Sequence, residues 1–227
     1  MKIYNCELTN YCNGKCGNYC PYSKMARKKG NMSEKTFRKV LDKQELNFIE
    51  MHNFGEPLMH PRIFDFIKMA KDVGFKTEFS TNGLLLDAKT FDNLYHAGLD
   101  LLWVSIRPFF GKVRKTLIKH YDEYSKKMKI TILYVEFKNK IKTLPRSWDV
   151  TYIEPHSWSG YVVIPFVKRN ISCFNLSNQA VTVLWDGRVS NCCHDYDGKY
   201  IIGTIDDDNL KPSVNELCKR CEFYGTQ

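Results

Sequence analysis

Three cysteines stand close together near the start of the chain, in the segment Cys12-Asn-Gly-Lys-Cys16-Gly-Asn-Tyr-Cys20. This segment follows residues 2–8, an apolar stretch that predicts a first β-strand. Three thiolates on one loop can bind three irons of a [4Fe–4S] cube and leave the fourth iron open to an amine and a carboxylate. Zinc is the alternative, but a structural zinc site takes four closed ligands, and only three cysteines are local here.

The cysteines of the whole chain fall into two groups. Nine are present in 227 residues, four within the first 20 and five within the last 55. The count is odd and the N-terminus lacks the apolar core of a signal peptide, which argues against a disulfide framework. We therefore predict two metal sites. No apolar stretch approaches the roughly 20 residues of a membrane span, so we expect a cytoplasmic protein without membrane contact.

The net charge of +9 comes from 34 basic and 25 acidic residues. The densest basic stretches are residues 24–29, 112–119 and 126–129. None of them interleaves basic residues with stacking aromatics in a recognised nucleic-acid motif. We interpret them as solvated helix faces, and a nucleic-acid partner is not indicated.

Apolar segments of strand length alternate with amphipathic helices up to about residue 165. The predicted strands are residues 2–8, 46–53, 77–80, 101–106, 129–135 and 150–153. Ser33 and Asp87 are placed to cap two of the helices. Six β–α units predict an α/β fold with a parallel sheet, and they are too few for a closed eight-stranded barrel. We expect an open, partial (β/α)6 barrel with its functional residues at the carboxyl ends of the strands.

The pattern changes after residue 165. Residues 180–185 and 188–193 flank Asp186-Gly187, which is a hairpin signal. Ser213-Val-Asn-Glu216 reads as a capping box that opens a short helix carrying Cys218 and Cys221. We therefore predict a barrel domain over residues 1–165 and a small β-hairpin and helix domain over residues 166–227.

The cysteine loop resembles that of the radical SAM superfamily, whose motif is C-x3-C-x-Φ-C with Φ aromatic. Tyr19 stands at the aromatic position, and the third cysteine comes one residue later, giving C-x3-C-x3-C. Phe54-Gly55-Glu56-Pro57 ends the predicted second strand and is similar to the family's G-G-E-P segment, which holds the methionine amino group of S-adenosylmethionine. The alternative for this segment alone is an ordinary turn.

The resemblance implies a site at the carboxyl ends of the strands. Cys12, Cys16 and Cys20 would hold a [4Fe–4S] cluster that binds S-adenosylmethionine. The implied cofactor contacts are Tyr19 near the adenine, the segment Phe54, Gly55, Glu56 and Pro57, and then Ser80, Asn82, Ser105 and Arg107. Glu136, His156 and Trp158 lie at the same predicted rim, and the last two are candidates for substrate contact or for ordinary packing.

The tail pattern Cys173-x13-Gly187-x4-Cys192 with Cys218-x2-Cys221 resembles the auxiliary-cluster region called SPASM, or its shorter form, twitch. The resemblance implies the twitch form, with a second, auxiliary [4Fe–4S] cluster held by these four cysteines. Structural zinc is the alternative. Cys6 and Cys193 are left over, and we expect small buried residues there, although Cys193 could replace Cys192. We expect His194 at the surface or beside the cluster.

The family chemistry implies reductive cleavage of S-adenosylmethionine to a 5′-deoxyadenosyl radical that takes hydrogen from a substrate C–H bond. An auxiliary cluster can accept the remaining electron, which makes a net two-electron oxidation of a small polar molecule. The tail layout is similar to that of the twitch-type inosamine dehydrogenases. An external one-electron reductant, such as flavodoxin or ferredoxin, is implied.

Two alternatives to this function stay open. The first is radical modification of a peptide by thioether formation, epimerisation or side-chain oxidation. The first predicted strand begins at residue 2, and we expect no room for a leader-peptide-binding domain before it. The second, more remote alternative is a zinc-bearing nucleic-acid-binding protein.

Overall fold

The structure, a computed structural model, describes residues 1–106, 111–135, 144–153, 157–162 and 172–224. Arg107, Glu136 and His156, which the sequence placed at the functional rim, lie outside the described residues. The first ten elements are β1 (Lys2–Cys6), α1 (Glu34–Lys43), β2 (Phe48–Glu50), α2 (Ile63–Asp72), β3 (Lys76–Thr81), α3 (Ala88–Ala97), β4 (Leu101–Ile106), α4 (Gly111–Tyr124), β5 (Lys129–Val135) and β6 (Val150–Ile153). The tail adds α5 (Phe174–Asn178), β7 (Ala180–Val183), β8 (Arg188–Ser190) and β9 (Ile201–Thr204).

The strands form one nine-stranded sheet in the order β6-β5-β4-β3-β2-β1-β7-β8-β9. Neighbouring strands from β6 to β1 pair in parallel. The prediction of an α/β fold with a six-stranded parallel, partial barrel is confirmed. β7 also pairs in parallel with β1, while β8 and β9 follow antiparallel. The tail hairpin therefore extends the barrel sheet along its β1 edge.

Local sequence signals explain where the helices begin and end. The Ser33 hydroxyl accepts a hydrogen bond from the Thr36 N–H at 3.1 Å and caps α1. The Asp87 carboxylate does the same for α3 by accepting from the Thr90 N–H at 2.7 Å. α3 ends at Gly98, whose φ of 85° is left-handed and suits glycine. Both predicted N-caps are confirmed.

Strand residues alternate between two environments. Ile49, Phe79 and Leu102 are fully buried against the helices in the hydrophobic core. The strand residues between these positions, such as Glu50 and Ser80, face a cavity on the other side of the sheet. In the described part of the chain, no helix has both the length and the apolar character to span a membrane.

The tail differs from the sequence expectation in its helices. Cys218 begins a three-residue 3-10 turn, Cys218–Arg220, instead of lying in a capped helix. Ser213 is held by Asn191, because its N–H donates to Asn191 Oδ1 and its carbonyl accepts from Asn191 Nδ2, both at 2.7 Å. This pairing fastens the predicted capping segment to the end of β8. Conversely, α5 directly follows Cys173 and was not predicted.

Candidate active site

A cavity of about 610 Å³ opens at the carboxyl ends of the parallel strands. Cysteines of both groups line it, namely Cys12, Cys16, Cys20, Cys173 and Cys193. The predicted contact residues Tyr19, Phe54, Gly55, Glu56, Ser80, Asn82, Ser105 and Trp158 line it as well. Pro57 is buried in the turn Pro57–Met59 and is not part of the lining.

The first cysteine loop presents its three thiols to this cavity. Cys12 Sγ accepts a hydrogen bond from the Gly14 N–H at 3.4 Å. A Cβ on Gly14 would lie 3.4 Å from Cys12 Sγ and 3.5 Å from Cys16 Sγ, so the two sulfurs flank this residue. The Cys12 N–H donates to the Tyr22 hydroxyl at 3.0 Å, which anchors the loop. Three partly exposed thiols on one side of a cavity fit a cluster with one open iron.

Gly55 and Glu56 sit directly against the base of that loop. Gly55 has a φ of 117°, and a Cβ there would lie 2.2 Å from the Thr9 carbonyl oxygen. Only glycine allows this backbone approach. The Glu56 N–H then donates to the Tyr11 carbonyl at 2.7 Å. The end of β2 therefore sets the position of the chain that leads into the cysteine loop.

The Glu56 carboxylate is bonded within the protein. It accepts from the Thr81 hydroxyl and the Asn82 N–H, both at 2.7 Å, and from the Leu58 N–H at 3.2 Å. Burial raises the pKa of Glu56 to about 7, and the hydrogen bonds act in the opposite direction. The side chain therefore links the ends of β2 and β3 beside the first cysteine loop.

The predicted polar contacts at the next two strand ends are neighbours. Ser80 Oγ lies 3.5 Å from Ser105 Oγ. The Asn82 amide donates to Asn13 Oδ1 at 2.8 Å, and so ties the end of β3 to the cysteine loop. Ser80, Asn82 and Ser105 therefore share one side of the cavity with the first cysteine group.

The tail brings its cysteines together from three segments. Cys192 lies close enough to Cys173, Cys218 and Cys221 for its negative charge to act on each. Burial, with a smaller contribution from Cys192, raises the pKa of Cys221 to about 11. Cys193 lies within hydrogen-bond reach of Cys192. The four cysteines predicted for the second site therefore lie in one region of the tail, and Cys193 is next to Cys192.

Two further sequence expectations can be compared with the structure. Cys6 lies in the hydrophobic core, with Sγ 3.8 Å from Met32 Sδ, as expected of a small apolar residue. His194 is buried beside the tail cysteines, where Nδ1 lies 2.9 Å from Ser159 Oγ and 4.0 Å from Cys221 Sγ. Among the described residues, no three His, Cys, Asp or Glu side chains are arranged to hold one metal ion.

The sequence reasoning missed a titratable pair inside the cavity. Glu50 Oε1 lies 3.5 Å from His52 Nε2, and both residues line the cavity. Burial, together with the charge of Glu78, raises the pKa of Glu50 to about 8. Burial lowers the pKa of His52 to about 4. The sequence signal that could have found this pair is Glu50. It is an acidic residue at the last position of a strand whose other two residues, Phe48 and Ile49, are apolar.

A buried ion pair between Arg27 and Glu7 lies beside the hydrogen bonds that join the first cysteine loop to the tail. Arg27 Nη1 donates to Glu7 Oε2 at 2.7 Å, and a second bond joins Arg27 Nη2 and Glu7 Oε1. Arg27 Nε donates to the Tyr196 carbonyl at 2.7 Å, and the Asp197 carboxylate accepts from the Ala26 N–H at 2.7 Å. The chain after the first cysteine loop is thereby fastened to the tail.

Comparisons with known proteins agree with this geometry. A sequence model of the radical SAM superfamily matches residues 6–168, and a model of the SPASM iron–sulfur cluster-binding domain matches residues 173–215. These matches favour iron–sulfur clusters over zinc. The radical SAM domain binds a [4Fe–4S] cluster and S-adenosylmethionine, and the SPASM domain binds auxiliary clusters.

Among curated relatives, the tungsten-containing aldehyde ferredoxin oxidoreductase cofactor-modifying protein of Pyrococcus furiosus is 34% identical over 228 residues. The match covers 96% of this chain and 60% of that protein. The PqqA peptide cyclase of Gluconobacter oxydans is 30% identical over 107 residues, 44% of this chain and 29% of that protein. The chain thus spans 60% or less of the length of these relatives.

Two solved structures share the fold. BtrN, crystallised with AdoMet and 2-DOIA, has a TM-score of 0.68 at 22% identity and matches 92% of this chain and 81% of its own. SuiB of Streptococcus suis, bound to the precursor peptide SuiA, has a TM-score of 0.66 at 13% identity and matches 96% and 69%. These likenesses show the same architecture of barrel and tail.

Proposed function

The chain belongs to the radical SAM superfamily, and on that premise we propose that this enzyme removes two electrons from a C–H bond of a small polar molecule. One observation carries the proposal: a single cavity is lined by cysteines of both groups. A substrate in that cavity would lie between the first cysteine group, where hydrogen abstraction would start, and the tail cysteine group, which would accept the remaining electron.

The residues for the first cofactors are those at the strand ends. Cys12, Cys16 and Cys20 would hold the [4Fe–4S] cluster. S-adenosylmethionine would contact the predicted residues that line the cavity, which are Tyr19, Phe54, Gly55, Glu56, Ser80, Asn82 and Ser105. When bound, these groups supply a 5′-deoxyadenosyl radical that abstracts hydrogen from the substrate. The protein's share is position and exclusion of water: Asn82 fixes the loop through Asn13, and Phe54 packs 5.3 Å from the Trp158 ring over the cavity.

The tail residues would hold one auxiliary [4Fe–4S] cluster in the twitch arrangement, through Cys173, Cys192, Cys218 and Cys221. When bound, this cluster supplies an electron acceptor next to the substrate space. We place the barrel in residues 1–165 and the tail domain in residues 166–227, joined through the β1–β7 pairing. An external one-electron reductant, such as flavodoxin or ferredoxin, would serve the first cluster.

Peptide modification is the second candidate function. The likeness to the PqqA peptide cyclase, 30% over 107 residues, favours it. It differs from the first candidate in the substrate that triggers 5′-deoxyadenosine formation. Anaerobic reduced enzyme incubated with fractionated extracts would show that trigger either in a small-molecule fraction or in a peptide fraction. A trigger in the peptide fraction alone would replace the first candidate.

The electron-acceptor role is tested by the variant Cys218→Ala/Cys221→Ala. We expect about eight irons per chain in the wild type and about four in this variant, since each cube holds four. The variant should still form 5′-deoxyadenosine but yield little oxidised product. Cys6→Ala is the matched control, because Cys6 lies in the core beside Met32, and it should keep all the iron. Four irons and one zinc in the wild type would end the electron-acceptor proposal.

A further inference from the structure

The segment around the first cysteine loop carries basic residues and no acidic ones. Residues 8–33 contain neither Asp nor Glu. Their basic residues are Lys15, Lys24, Arg27, Lys28 and Lys29. The interpretation of residues 24–29 as a solvated helix face is wrong, because Lys24 ends the 3-10 turn Pro21–Lys24 and residues 25–30 form no helix. This positive charge therefore belongs to the loop region of the site.

The outer side of the cysteine loop faces solvent. Lys15, Gly17, Asn18 and Tyr19 are exposed, whereas the three cysteines of the loop are partly exposed and line the cavity. A cluster held by these thiols would lie directly behind the loop. Electron transfer between two proteins weakens steeply with distance, so a protein that donates electrons to this cluster has to bind close to the loop.

Lys29 is held against the cysteine loop. Its Nζ lies 4.5 Å from the centre of the Tyr22 ring, and an ammonium group is attracted to the face of an aromatic ring. The Tyr22 hydroxyl accepts the hydrogen bond from the Cys12 N–H at 3.0 Å, and Tyr22 also lines the cavity. One aromatic side chain therefore connects the charge of Lys29 to the first predicted cluster ligand.

Lys24 and Arg220 meet at Tyr161. Lys24 Nζ donates to the Tyr161 carbonyl at 2.8 Å, and the Arg220 guanidinium lies 5.4 Å from the centre of the Tyr161 ring. The Tyr161 ring packs edge-on against Tyr196, with the ring centres 4.6 Å apart. Tyr196 in turn contacts Phe54 of the cavity lining, at 6.1 Å between ring centres. Packing therefore holds both cations near the site.

The basic surface consists of Lys15, Lys24, Lys29 and Arg220. In the described part of the chain, none of these four side chains forms an ion pair, whereas Arg27 of the same segment is paired with Glu7. The Asp197 carboxylate does contact this segment, but it accepts from the backbone N–H groups of residues 26 and 27, at 2.7 and 3.0 Å. Charges of one sign repel one another, and a partner of opposite sign relieves that repulsion.

We propose that the basic surface binds an acidic one-electron carrier protein, which reduces the first cluster. The proposal rests on the function proposed above and names the surface on which its reductant docks. One electron leaves the redox centre of the carrier and enters the cluster, and no atom moves between the two proteins. The net charge of +9 attracts an acidic partner from a distance, and the local cations orient it.

Nucleic acid is the other class of macromolecule that a basic surface can bind. Nucleic-acid binding does not require the charge to lie at a cysteine loop, whereas delivery of an electron to a cluster behind that loop does. The position of the four cations therefore favours the carrier protein.

The first experiment measures binding directly. Anaerobic holoenzyme is titrated with oxidised flavodoxin and, separately, with oxidised ferredoxin, in an isothermal titration calorimeter at two salt concentrations. The variant Lys15→Glu/Lys24→Glu/Lys29→Glu should weaken binding about tenfold or more, because attraction becomes repulsion. The Lys→Gln variant of the same three positions, which only removes charge, should show a smaller loss. Binding to the wild type should weaken as salt screens the exposed charges.

The matched control is Lys2→Glu/Lys76→Glu/Lys129→Glu. These lysines are exposed, and they begin β1, β3 and β5, which places them at the opposite edge of the parallel strands from the cysteine loop. The control changes the net charge equally and should keep binding within about twofold, because exposed charges that far apart are screened. An equal loss in both triple variants would overturn the proposal, as would a wild type that binds neither carrier.

A single-stranded RNA oligonucleotide tests the other class of partner in the same titration. We expect no RNA binding that depends on the basic surface. If the wild type binds the RNA and the loop variant loses it, while carrier binding is unchanged, the surface serves nucleic acid and the proposal is overturned.

Failure of the surface can be told apart from failure of the proposed function. Formation of 5′-deoxyadenosine is measured with reduced flavodoxin and with dithionite, a small reductant that needs no docking surface. The ratio of the flavodoxin rate to the dithionite rate should fall about tenfold in the loop variant and stay constant in the control. An unchanged ratio would overturn the surface alone. Absent cleavage with dithionite, in a wild type with full iron content, would overturn the function on which the surface rests.

Discussion

Cys12, Cys16 and Cys20 come from one loop and are each partly exposed, whereas the tail cysteines come from three separate segments and two of them are buried. Ligands on one loop leave the far side of their site open, and here that side is the cavity. Ligands that converge from distant segments enclose their site and hold those segments together. The first arrangement suits a site that must admit a cofactor, and the second suits a closed site that also stabilises the fold.

The largest expected effect separates the two sites completely. The triple variant Cys12→Ala/Cys16→Ala/Cys20→Ala should lose S-adenosylmethionine cleavage down to the level without enzyme. It should keep about four irons per chain in the tail, because no tail ligand lies on the loop. Iron analysis and 5′-deoxyadenosine formation check this. Loss of the tail iron as well would show that the two sites depend on each other, and cleavage that persists would refute the ligand assignment.

The next effect tests the connection between the two regions. Arg27→Met should lower the free energy of unfolding by about 3–5 kcal/mol, because Glu7 would be left buried without its partner. Denaturant unfolding measures this. Arg38→Met, which breaks an exposed pair with Glu34, is the control and should leave the free energy of unfolding nearly unchanged. An Arg27 effect as small as that of the control would mean that the buried Glu7 carboxyl does not depend on Arg27 for its stability.

A smaller effect concerns the change of folding stability with pH that is caused by Glu50, in the cavity between the two regions. The pKa of Glu50 is raised from 4.5 to about 8 by burial and by Glu78, so the folded protein keeps a proton that the unfolded chain releases. Stability therefore falls as the pH rises through this window, by up to about 2 kcal/mol from pH 6.5 to 8. His52, with a pKa of about 4, stays neutral there, and Glu56 adds the same sign below its pKa of about 7.

Glu50→Gln should remove most of this slope while the contribution of Glu56 remains. Unfolding free energies at pH 6.5 and pH 8 in both proteins give the comparison. The exposed substitution Glu216→Gln is the control and should leave the wild-type slope in place. If the slopes of wild type and Glu50→Gln are equal, Glu50 is ionised in the folded protein at neutral pH.

The smallest expected effect concerns the binding of S-adenosylmethionine beside the first cysteine loop. Tyr19 lines the cavity with 39% of its surface exposed. Tyr19→Ala should weaken S-adenosylmethionine binding about tenfold, near 1.4 kcal/mol, by removing ring contact area. Tyr19→Phe keeps the ring and should bind nearly as tightly. Equilibrium binding to reconstituted protein measures both, and equal affinity in Tyr19→Ala would remove Tyr19 from the cofactor contacts.

The sequence predicts those features that depend on neighbouring residues. The caps at Ser33 and Asp87, the order of strands and the short cysteine spacing are all local, and each appears in the structure where it was expected. Strand ends were less accurate: the second strand was predicted over residues 46–53 and spans Phe48–Glu50. Strand length is set by which backbone groups find partners across the sheet, and the sequence pattern does not contain that information.

The features that the sequence did not predict depend on residues that come into contact only in the folded chain. Nothing in the sequence marks Glu50 and Asn5 as residues of a functional site. The fold places them opposite each other on adjacent strands, in the lining of one cavity. Residues 213–216 have the sequence of a capping box. However, Asn191, 22 positions earlier, forms hydrogen bonds with both backbone groups of Ser213. Long-range partners of this kind override local preference, and a single sequence gives no signal for them.

The pairing of β1 with β7 joins Lys2 to Ala180, across most of the chain. A ribosome that makes this protein releases β1 long before β7, so one edge of β1 stays without its neighbour until residues 180–183 have emerged. An unpaired edge exposes backbone N–H and C=O groups that can pair with another nascent chain. Pairings so distant also form slowly. Synthesis of the tail thus closes the aggregation-prone edge that synthesis of the barrel leaves open.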